Sequence, residues 1–256
     1  MNVLVIGGNG MMGPWVVPVL ATRHRLLVTD INDPPPDAVF EYRQLDVADA
    51  DAVDSAAAGM DAIVNLSVLR ADRDLAFHVN VRGNYNLARA AARHGVRRIV
   101  NTGPHNQVIG RYLPWEHRLH PDLPPRSGTG LYGHTKALGH EVLRVFSERY
   151  DLYVQSLLFA GLRVPGSWWL RPKTRGRNFP LGQDLDGGYV VAWPDAATAV
   201  RAALEVDLAT LPSRCESYFV LPDLPHGKYS SEKTERVLGW RATYQLEQFW
   251  NRSADL

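Results

Sequence analysis

The chain has 256 residues, 45% hydrophobic and 21% charged, with a formal net charge of +1, which gives no reason to expect a nucleic acid or an anionic membrane as partner. Cys215 is the only cysteine, so neither an intrachain disulfide nor a cysteine-based metal site is expected. With a core strand at the N-terminus and no apolar run long enough to span a bilayer, these features predict a cytoplasmic protein with one sizeable core and no metal.

The first predicted element is a strand at residues 2–6, which runs into a glycine cluster and then a helix at 11–22. Gly7 allows a tight turn, Gly10 allows close approach to a pyrophosphate, and Gly13 lets the helix lie against the strand. The helix N-terminus offers its unpaired N–H groups to the phosphates. This segment therefore predicts a dinucleotide-binding turn.

The second predicted strand, at 25–30, ends in Asp30. A carboxylate at this place hydrogen-bonds the adenosine ribose hydroxyls and repels a 2′-phosphate. Neither Ile31 nor Asn32 supplies a compensating positive charge. The cofactor is therefore predicted to be NAD and not NADP.

Strand and helix patterns continue to alternate through the first 160 residues, which predicts βαβ units and a doubly wound parallel sheet of the α/β class. We expect an NAD-binding domain at 1–160 and a mixed C-terminal part at 161–256, not independently folded, with a loop-rich lobe over the active-site mouth. The further predicted strands are 40–45, 61–66, 97–102 and 153–159, and the further predicted helices are 49–58, 74–94, 131–150, 194–206 and one starting near 230.

Tyr132 and Lys136 lie four residues apart at the start of a predicted helix, so the ammonium can lie beside the phenol. A free tyrosine has a pKa near 10, and a lysine together with an oxidised nicotinamide ring could lower that pKa enough for a general base near neutral pH. The pair alone is a weak pattern, but its position about 120 residues after a dinucleotide-binding turn makes it a strong one. We predict that Tyr132 is the catalytic base.

The segment 161–190 is rich in glycine and proline and carries two adjacent tryptophans and a basic series. Trp168 and Trp169 could stack on a sugar ring, although packing of the lobe is favoured. The basic series could form a flap over a carboxylate or phosphate, although a hydrated surface is favoured. Its members are Arg171, Lys173, Arg175 and Arg177.

These motifs resemble the extended short-chain dehydrogenase/reductase family, the NAD-dependent epimerase/dehydratase group, over almost the whole chain. The turn at 5–13 is similar to the family's Thr-Gly-x-x-Gly-x-x-Gly, with Ile6 where threonine is usual. The other matching segments, in order, are 46–47, 63–67, 80–87, 98–100, Tyr132 with Lys136, and 238–240.

The resemblance implies that Lys136 lowers the pKa of the phenol and holds the nicotinamide ribose, with Asn80 supporting the lysine through water. It also implies a homodimer built through the helices at 74–94 and 131–150. The implied NAD-binding residues are Gly7, Gly10, Met11, Met12, Gly13, Asp30, Ile31, Asp46, Val47, Leu66, Ser67, Asn80, Tyr132 and Lys136.

The chain departs from the family at the end of the fifth strand, where a serine or threonine normally binds the reacting oxygen. Gly103 and Pro104 fall where the usual serine pair is expected. Thr102 is the nearest hydroxyl and is the favoured replacement, while His105 or Asn106 could supply the hydrogen bond, or the third catalytic member could be absent. The same segment lacks the acidic pair of sugar-nucleotide dehydratases, which counts against dehydration.

Within the family, the short length and local segments such as 46–51 and 108–110 are most similar to uronate dehydrogenases, which oxidise a sugar-acid hemiacetal to a lactone with NAD. Those enzymes hold the substrate carboxylate with an arginine after the sixth strand. Here Arg163 lies a few residues later and could reach the same space, although it could equally be a solvated loop residue.

The predicted function is NAD-dependent hydride transfer at a secondary alcohol or hemiacetal carbon of a sugar-like or acidic small molecule, with His105, Asn106 and Arg163 contacting the substrate. One alternative is a sugar or sugar-nucleotide epimerase with the same tyrosine and lysine. The other is a non-catalytic NAD-binding regulator, suggested by the missing serine.

Overall fold

A computed structural model describes residues 1–36, 38–69, 71–109, 118–165, 190–223 and 227–244. The predicted tryptophan pair and basic series of the lobe lie outside these ranges. None of the helices within them is both long and apolar enough to cross a bilayer.

The centre of the fold is a parallel sheet of seven strands. Its order is β3-β2-β1-β4-β5-β6-β9, so the direction of winding reverses between β1 and β4. Ligands bind beyond the carboxyl ends of the strands at such a switch point. The strands are β1 (Asn2–Ile6), β2 (Arg25–Asp30), β3 (Glu41–Gln44), β4 (Ala62–Asn65), β5 (Arg98–Pro104), β6 (Tyr153–Phe159) and β9 (Cys215–Phe219), and a separate two-stranded sheet joins β7 (Gly161–Arg163) to β8 (Val190–Ala192).

Helices cover both faces of the large sheet. One face packs on α1 (Gly13–Ala21), α7 (Trp193–Glu205) and α8 (Glu232–Leu238), and the other on α2 (Ala50–Ala57), α4 (Gly83–His94) and α6 (Leu131–Arg149). Short helices α3 (Arg73–Phe77) and α5 (Asn106–Ile109) follow β4 and β5. The central strands are buried over nearly their whole length because a parallel sheet is covered on both sides, whereas the edge strand β3 is polar and exposed.

The helix predicted at 74–94 is interrupted. Between α3 and α4, residues His78–Arg82 form a wide π-type turn in which the Gly83 N–H donates to the His78 carbonyl. Such turns occur where a tertiary contact inserts into a helix, often beside a functional site. Here the buried Asn80 in the turn binds the loop after β4 and the neighbouring helix α6.

Within the described ranges, three strands, one short α-helix and the 3₁₀ helix Leu208–Thr210 have no counterpart among the predicted elements. The strands and the α-helix are β7, β8, β9 and α5, while β5 extends two residues past its predicted end. The extension follows from the length of β6, because Gly103 and Pro104 continue the pairing with Leu158 and Phe159.

Candidate active site

A cavity of about 910 Å³ opens beyond the carboxyl ends of the central strands. Its walls come from the glycine turn after β1, the ends of β2, β4, β5 and β6, the π-type turn and the start of α6. The volume is at the upper end of the range for ligand pockets, large enough for an extended cofactor together with a small molecule.

The glycine turn lies against the loop after β4. Gly7 has a φ of 77°, and a Cβ placed on it would lie 2.8 Å from the Ser67 backbone nitrogen. Gly10 lines the cavity with bare backbone, and a Cβ there would lie 3.2 Å from the Gly7 carbonyl oxygen. A Cβ at Gly13 would lie 1.7 Å from the Gly8 carbonyl oxygen, so Gly13 packs the helix against the turn and stays outside the cavity lining.

The carboxylate of Asp30 lines the cavity at the end of β2 and is almost fully buried. Its Oδ2 accepts from the Asn9 backbone N–H at 3.0 Å, and its Oδ1 accepts from the Asn32 backbone N–H at 3.1 Å and side-chain amide at 2.9 Å. The carboxylate therefore both faces the cavity and closes the loops beside it.

Most of the other predicted cofactor residues line the same cavity. They come from the glycine turn and from the loops after β2, β3 and β4. The members are Met11, Met12, Ile31, Asp46, Val47, Leu66 and Ser67.

Tyr132 and Lys136, on the first turns of α6, both line the cavity. Lys136 is only 2% exposed, and its Nζ donates to the Ser67 backbone carbonyl at 2.9 Å. That bond joins the helix carrying the tyrosine to the loop that carries part of the cavity wall. The pair has the i, i+4 arrangement predicted from the sequence, in which the two side chains are neighbours on one helix face.

Thr102 also lines the cavity, but its hydroxyl is already engaged: Oγ1 donates to the Asn65 carbonyl at 2.9 Å. Gly103 and Pro104 line the cavity beside it and bring no hydroxyl. Within the described residues, the end of β5 therefore supplies a single hydroxyl group to the site, that of Thr102.

Asn80 lies behind the lining and not in it. Its Nδ2 donates to the Leu69 carbonyl at 2.7 Å and to Thr135 Oγ1 at 3.0 Å, and its Oδ1 accepts from the Leu69 N–H at 3.2 Å. Both ends of the carboxamide are used in this way, by the loop after β4 and by α6. The residue fixes the loop after β4 against α6.

The predicted substrate residues His105, Asn106 and Arg163, all within the described ranges, lie just outside the cavity lining. His105 Nδ1 lies 3.3 Å from the Phe159 carbonyl, and burial lowers the pKa of the imidazole although this hydrogen bond opposes the shift. The Asn106 Oδ1 is buried without a hydrogen-bond partner and packs near Gly133, next to Tyr132. The Arg163 guanidinium donates to the Leu162 carbonyl at 2.9 Å.

Sequence reasoning missed several lining residues. Phe159, Ala160, Leu162 and Trp193 form an apolar wall between the ends of β6 and β8. It also missed Gln107, whose side-chain amide is buried over Gly103 with neither polar atom hydrogen-bonded. The apolar wall is brought together by β6, β7 and α7, whereas Gln107 lies on α5, and nothing in the local spacing of these residues marks them as one surface.

Within the described ranges, no group of three or more histidine, cysteine, aspartate or glutamate side chains is placed to hold a metal ion. The residues that line the cavity bring a phenol, an ammonium group, hydroxyls, carboxylates, an amide and an imidazole.

A parallel sheet wound by helices on both faces, with a cavity at its switch point and a glycine turn in the cavity wall, defines a Rossmann-type α/β protein. Residues 3–166 match the model of the NAD dependent epimerase/dehydratase family, and the chain belongs to this family. The predicted fold class and family are thereby confirmed.

Relatives of known activity match parts of the chain. It is 39% identical to the uronate dehydrogenase of Agrobacterium fabrum over 112 residues, which is 43% of this chain and 41% of that enzyme. It is 29% identical to the uronate dehydrogenase of Pseudomonas syringae pv. tomato over 162 residues, which is 61% of this chain and 58% of that enzyme. The chain thus spans about half the length of the curated relatives it matches.

The fold matches that of a solved relative over most of its length. A crystal structure of a mutant uronate dehydrogenase from Agrobacterium tumefaciens, complexed with NAD, aligns with a TM-score of 0.78 and 23% identity, covering 99% of this chain and 92% of that one. At this identity the likeness establishes the shared fold.

Proposed function

We propose that the protein is an NAD-dependent dehydrogenase that oxidises the hemiacetal or secondary alcohol carbon of a sugar acid. The observation that carries this proposal is the shared cavity: Tyr132 and Lys136 face the same space as the bare turn at Gly10 and the carboxylate of Asp30. The similarity to uronate dehydrogenases supports the sugar-acid substrate.

The residues present fit NAD. The turn at Gly7 and Gly10 leaves a cradle that a Cβ would fill, next to the start of α1, where phosphate groups bind well. Asp30 offers carboxylate oxygens to ribose hydroxyls, and a 2′-phosphate would meet its negative charge. Bound NAD would supply the acceptor for the hydride that leaves the sugar carbon.

The protein's own part in the reaction is proton removal and orientation. Tyr132 would accept the proton of the substrate hydroxyl as the C–H bond is broken, and Lys136 would favour the phenolate form through its positive charge. Lys136 is held for this by its bond to the Ser67 carbonyl. The apolar wall of Phe159, Leu162 and Trp193 would keep water away from the reacting atoms.

The substrate carboxylate would bind Arg163 near the mouth of the cavity. Arg163 lies on β7, next to Leu162, which lines the cavity, and its planar guanidinium suits a carboxylate. His105 lies between β5 and α5, and Asn106 is the first residue of α5. The His105 imidazole and the unpartnered Asn106 oxygen would contact sugar hydroxyls.

The test is direct. The purified protein is mixed with NAD or NADP and with D-glucuronate, D-galacturonate or the neutral parent sugars, and the absorbance of the reduced cofactor is followed. We expect turnover with NAD and a uronate, and much slower turnover with NADP or a neutral sugar. NAD binding without turnover of any sugar acid would contradict the proposal and favour a regulatory role.

We also propose that two copies associate through α4 and α6. Both helices expose large apolar side chains outside the cavity: Tyr85 on α4 is 47% exposed, and Val145 on α6 is 48% exposed. Exposed apolar surface of this kind marks association sites. Sedimentation should give a dimer for the parent protein and a monomer for Val145→Glu, whereas equal sedimentation of the two would remove this face from the interface.

A further inference from the structure

The side chain of Asn65, at the end of β4, hydrogen-bonds three other polar residues: Asn84, Asn101 and Ser67. Its Nδ2 donates to Asn84 Oδ1 and to Asn101 Oδ1, both at 3.1 Å. Its Oδ1 accepts from the Ser67 N–H at 3.1 Å and from the Ser67 hydroxyl at 2.7 Å. Asn65 is 1% exposed, and its side chain uses both donors and both acceptors, so it has no capacity left.

The direction of these hydrogen bonds is fixed at both ends by backbone groups. The Ser67 N–H can only donate, so the oxygen of the Asn65 amide must face it. At the other end, the Asn84 Nδ2 donates to the Asn80 carbonyl at 2.7 Å, so the oxygen of Asn84 must face Asn65. Neither amide can be reversed without placing two donors or two acceptors together in a buried site, which is costly.

This direction determines what the Ser67 hydroxyl can offer a ligand, and the backbone carbonyl of Asn65 does the same for the Thr102 hydroxyl. The Ser67 hydroxyl hydrogen is used on Asn65 Oδ1, and the Thr102 hydroxyl hydrogen is used on the Asn65 carbonyl. Both residues line the cavity. What they turn toward a ligand is therefore an oxygen lone pair, not a hydrogen.

We propose that the hydroxyls of Ser67 and Thr102 act toward a ligand only as hydrogen-bond acceptors. Asn65 is the positioning residue, because it accepts the hydrogen of each hydroxyl. The site then binds hydroxyl groups of the ligand at these two points. The inference rests on the proposed function and refines its substrate class: a polyhydroxylated ring lies here, and its carboxylate lies elsewhere. A carboxylate beside these oxygens would meet acceptors without hydrogens in a partly desolvated place.

The proposal changes the role expected for Thr102. A hydroxyl that already donates to Asn65 cannot donate to the reacting oxygen, so that oxygen is left to Tyr132. Thr102 would instead bind a neighbouring hydroxyl of the ring. Ser67 would bind a hydroxyl either of the sugar or of the ribose of the cofactor, and the chemistry is the same in both cases.

A neutron structure of deuterium-exchanged crystals tests the direction without any need for turnover. We expect deuterium on Ser67 Oγ pointing at Asn65 Oδ1, and deuterium on Thr102 Oγ1 pointing at the Asn65 carbonyl. Deuterium on either hydroxyl pointing into the cavity would overturn the proposal. This measurement does not depend on activity. The hydroxyl directions can therefore be wrong while the proposed dehydrogenase activity is found, and they can be right while that activity is absent.

Substrate analogues test the consequence. D-glucuronate is compared with analogues in which one ring hydroxyl is replaced by hydrogen or by fluorine, which does not donate. For the position facing Thr102, we expect kcat/KM to fall about threefold to tenfold with either replacement, as for the loss of one neutral hydrogen bond. Thr102→Val should abolish this difference between the parent sugar and both analogues. Fluorine that preserves kcat/KM where hydrogen lowers it would show a donating site and overturn the proposal.

Thr234→Val is the matched control. Thr234 is fully buried and its hydroxyl donates to the Phe219 carbonyl at 2.7 Å, but it does not line the cavity. It should keep the analogue pattern of the parent protein. Ser67→Ala shows whether Ser67 binds a hydroxyl of the ribose or of the sugar. Weaker NAD binding with unchanged relative kcat/KM values of the analogues assigns Ser67 to the ribose. Unchanged NAD binding with altered relative kcat/KM values assigns it to the sugar. No change in either quantity would contradict the role given to Ser67.

Discussion

Tyr132→Phe removes a single oxygen atom from the cavity and leaves the ring that packs there. Because the proposed role of that oxygen is to accept a proton in the rate-determining chemistry, we expect kcat to fall about 10²- to 10⁴-fold while the NAD dissociation constant stays within a factor of about two. Initial rates and calorimetric titration with NAD measure the two quantities. Tyr153→Phe, at the opposite end of β6, is the matched control and should behave like the parent protein. Unchanged kcat in Tyr132→Phe would remove the phenol from the mechanism.

Lys136→Met should affect binding as well as turnover. The ammonium donates to the Ser67 carbonyl in a position that is 2% exposed, so its loss both removes a charge and leaves a carbonyl without that donor. Hydrogen bonds to charged groups contribute about 1.5–3 kcal/mol, so loss of the bond expected between the ammonium and the nicotinamide ribose corresponds to a loss of NAD affinity of about tenfold or more. The same titration measures it. A normal NAD affinity combined with low kcat would restrict Lys136 to acting on Tyr132.

At the scale of single residues, the sequence is informative where function depends on local geometry. The glycine turn, the acid ending β2 and the i, i+4 pair of Tyr132 and Lys136 are all set by spacing within one element, and the structure gathers them around one cavity. Asn65 is different. Its partners Asn84 and Asn101 are far away in sequence, so only the folded chain reveals that it is saturated with hydrogen bonds.

Gly139 on α6 determines how closely that helix approaches the π-type turn. A Cβ at Gly139 would lie 2.0 Å from the Asn80 carbonyl oxygen and 2.5 Å from Asn84 Nδ2. Overpacking of this kind costs about 1–3 kcal/mol, which exceeds the roughly 1 kcal/mol that alanine gains over glycine in a helix. We expect Gly139→Ala to lower the urea midpoint and to reduce turnover, because α6 carries Tyr132 and Lys136.

Gly130→Ala is the control for this substitution. Gly130 immediately precedes α6, has an ordinary backbone φ of −68°, and an added Cβ would meet no atom within 4 Å. Its urea midpoint should equal that of the parent protein within error. Equal midpoints for Gly139→Ala and Gly130→Ala would show that the close approach of α6 is not needed for stability.

Sequence patterns predict best the elements that are buried by apolar side chains and need no particular tertiary partner. The predicted limits of the strands from β1 to β6 lie within two residues of those observed, and all of these strands except the edge strand β3 are largely buried. β9 was missed because it carries Glu216 in its interior, which becomes acceptable only through the ion pair with Lys233 of α8 at 2.5 Å. The π-type turn was missed for a similar reason, since it depends on the tertiary contacts of Asn80.

At the scale of the whole molecule, β9 and the segment after α8 tie the C-terminal part to the sheet. β9 pairs with β6, and the buried carboxylate of Asp195, in the first turn of α7, accepts from the backbone N–H groups of Thr243 and Tyr244 at 3.0 and 2.9 Å. Leu238 and Trp240 then join the same core as α1. Loss of these contacts would expose one face of the sheet that shapes the cavity, so stability and activity should fall together.

His140, which lies on α6 against β6, contributes to the acid sensitivity of that stability. Burial lowers the pKa of His140 from 6.5 to about 4, and its Nδ1 lies 2.9 Å from the Ser156 hydroxyl. Between these two values the unfolded chain binds a proton that the folded chain does not. The contribution of His140 to the free energy of unfolding is therefore fully present above pH 6.5, falls as the pH decreases and is lost below about pH 4.

The full difference corresponds to about 3 kcal/mol. His140→Asn places an amide where the imidazole Nδ1 lies, so it can keep the contact with Ser156 without titrating. Between pH 7 and pH 4.5, we expect the urea midpoint of His140→Asn to change less than that of the parent protein. Asparagine and histidine differ in helix propensity, and this adds an offset between the two midpoints that is the same at each pH. Parallel curves over this range would mean that other groups govern acid unfolding.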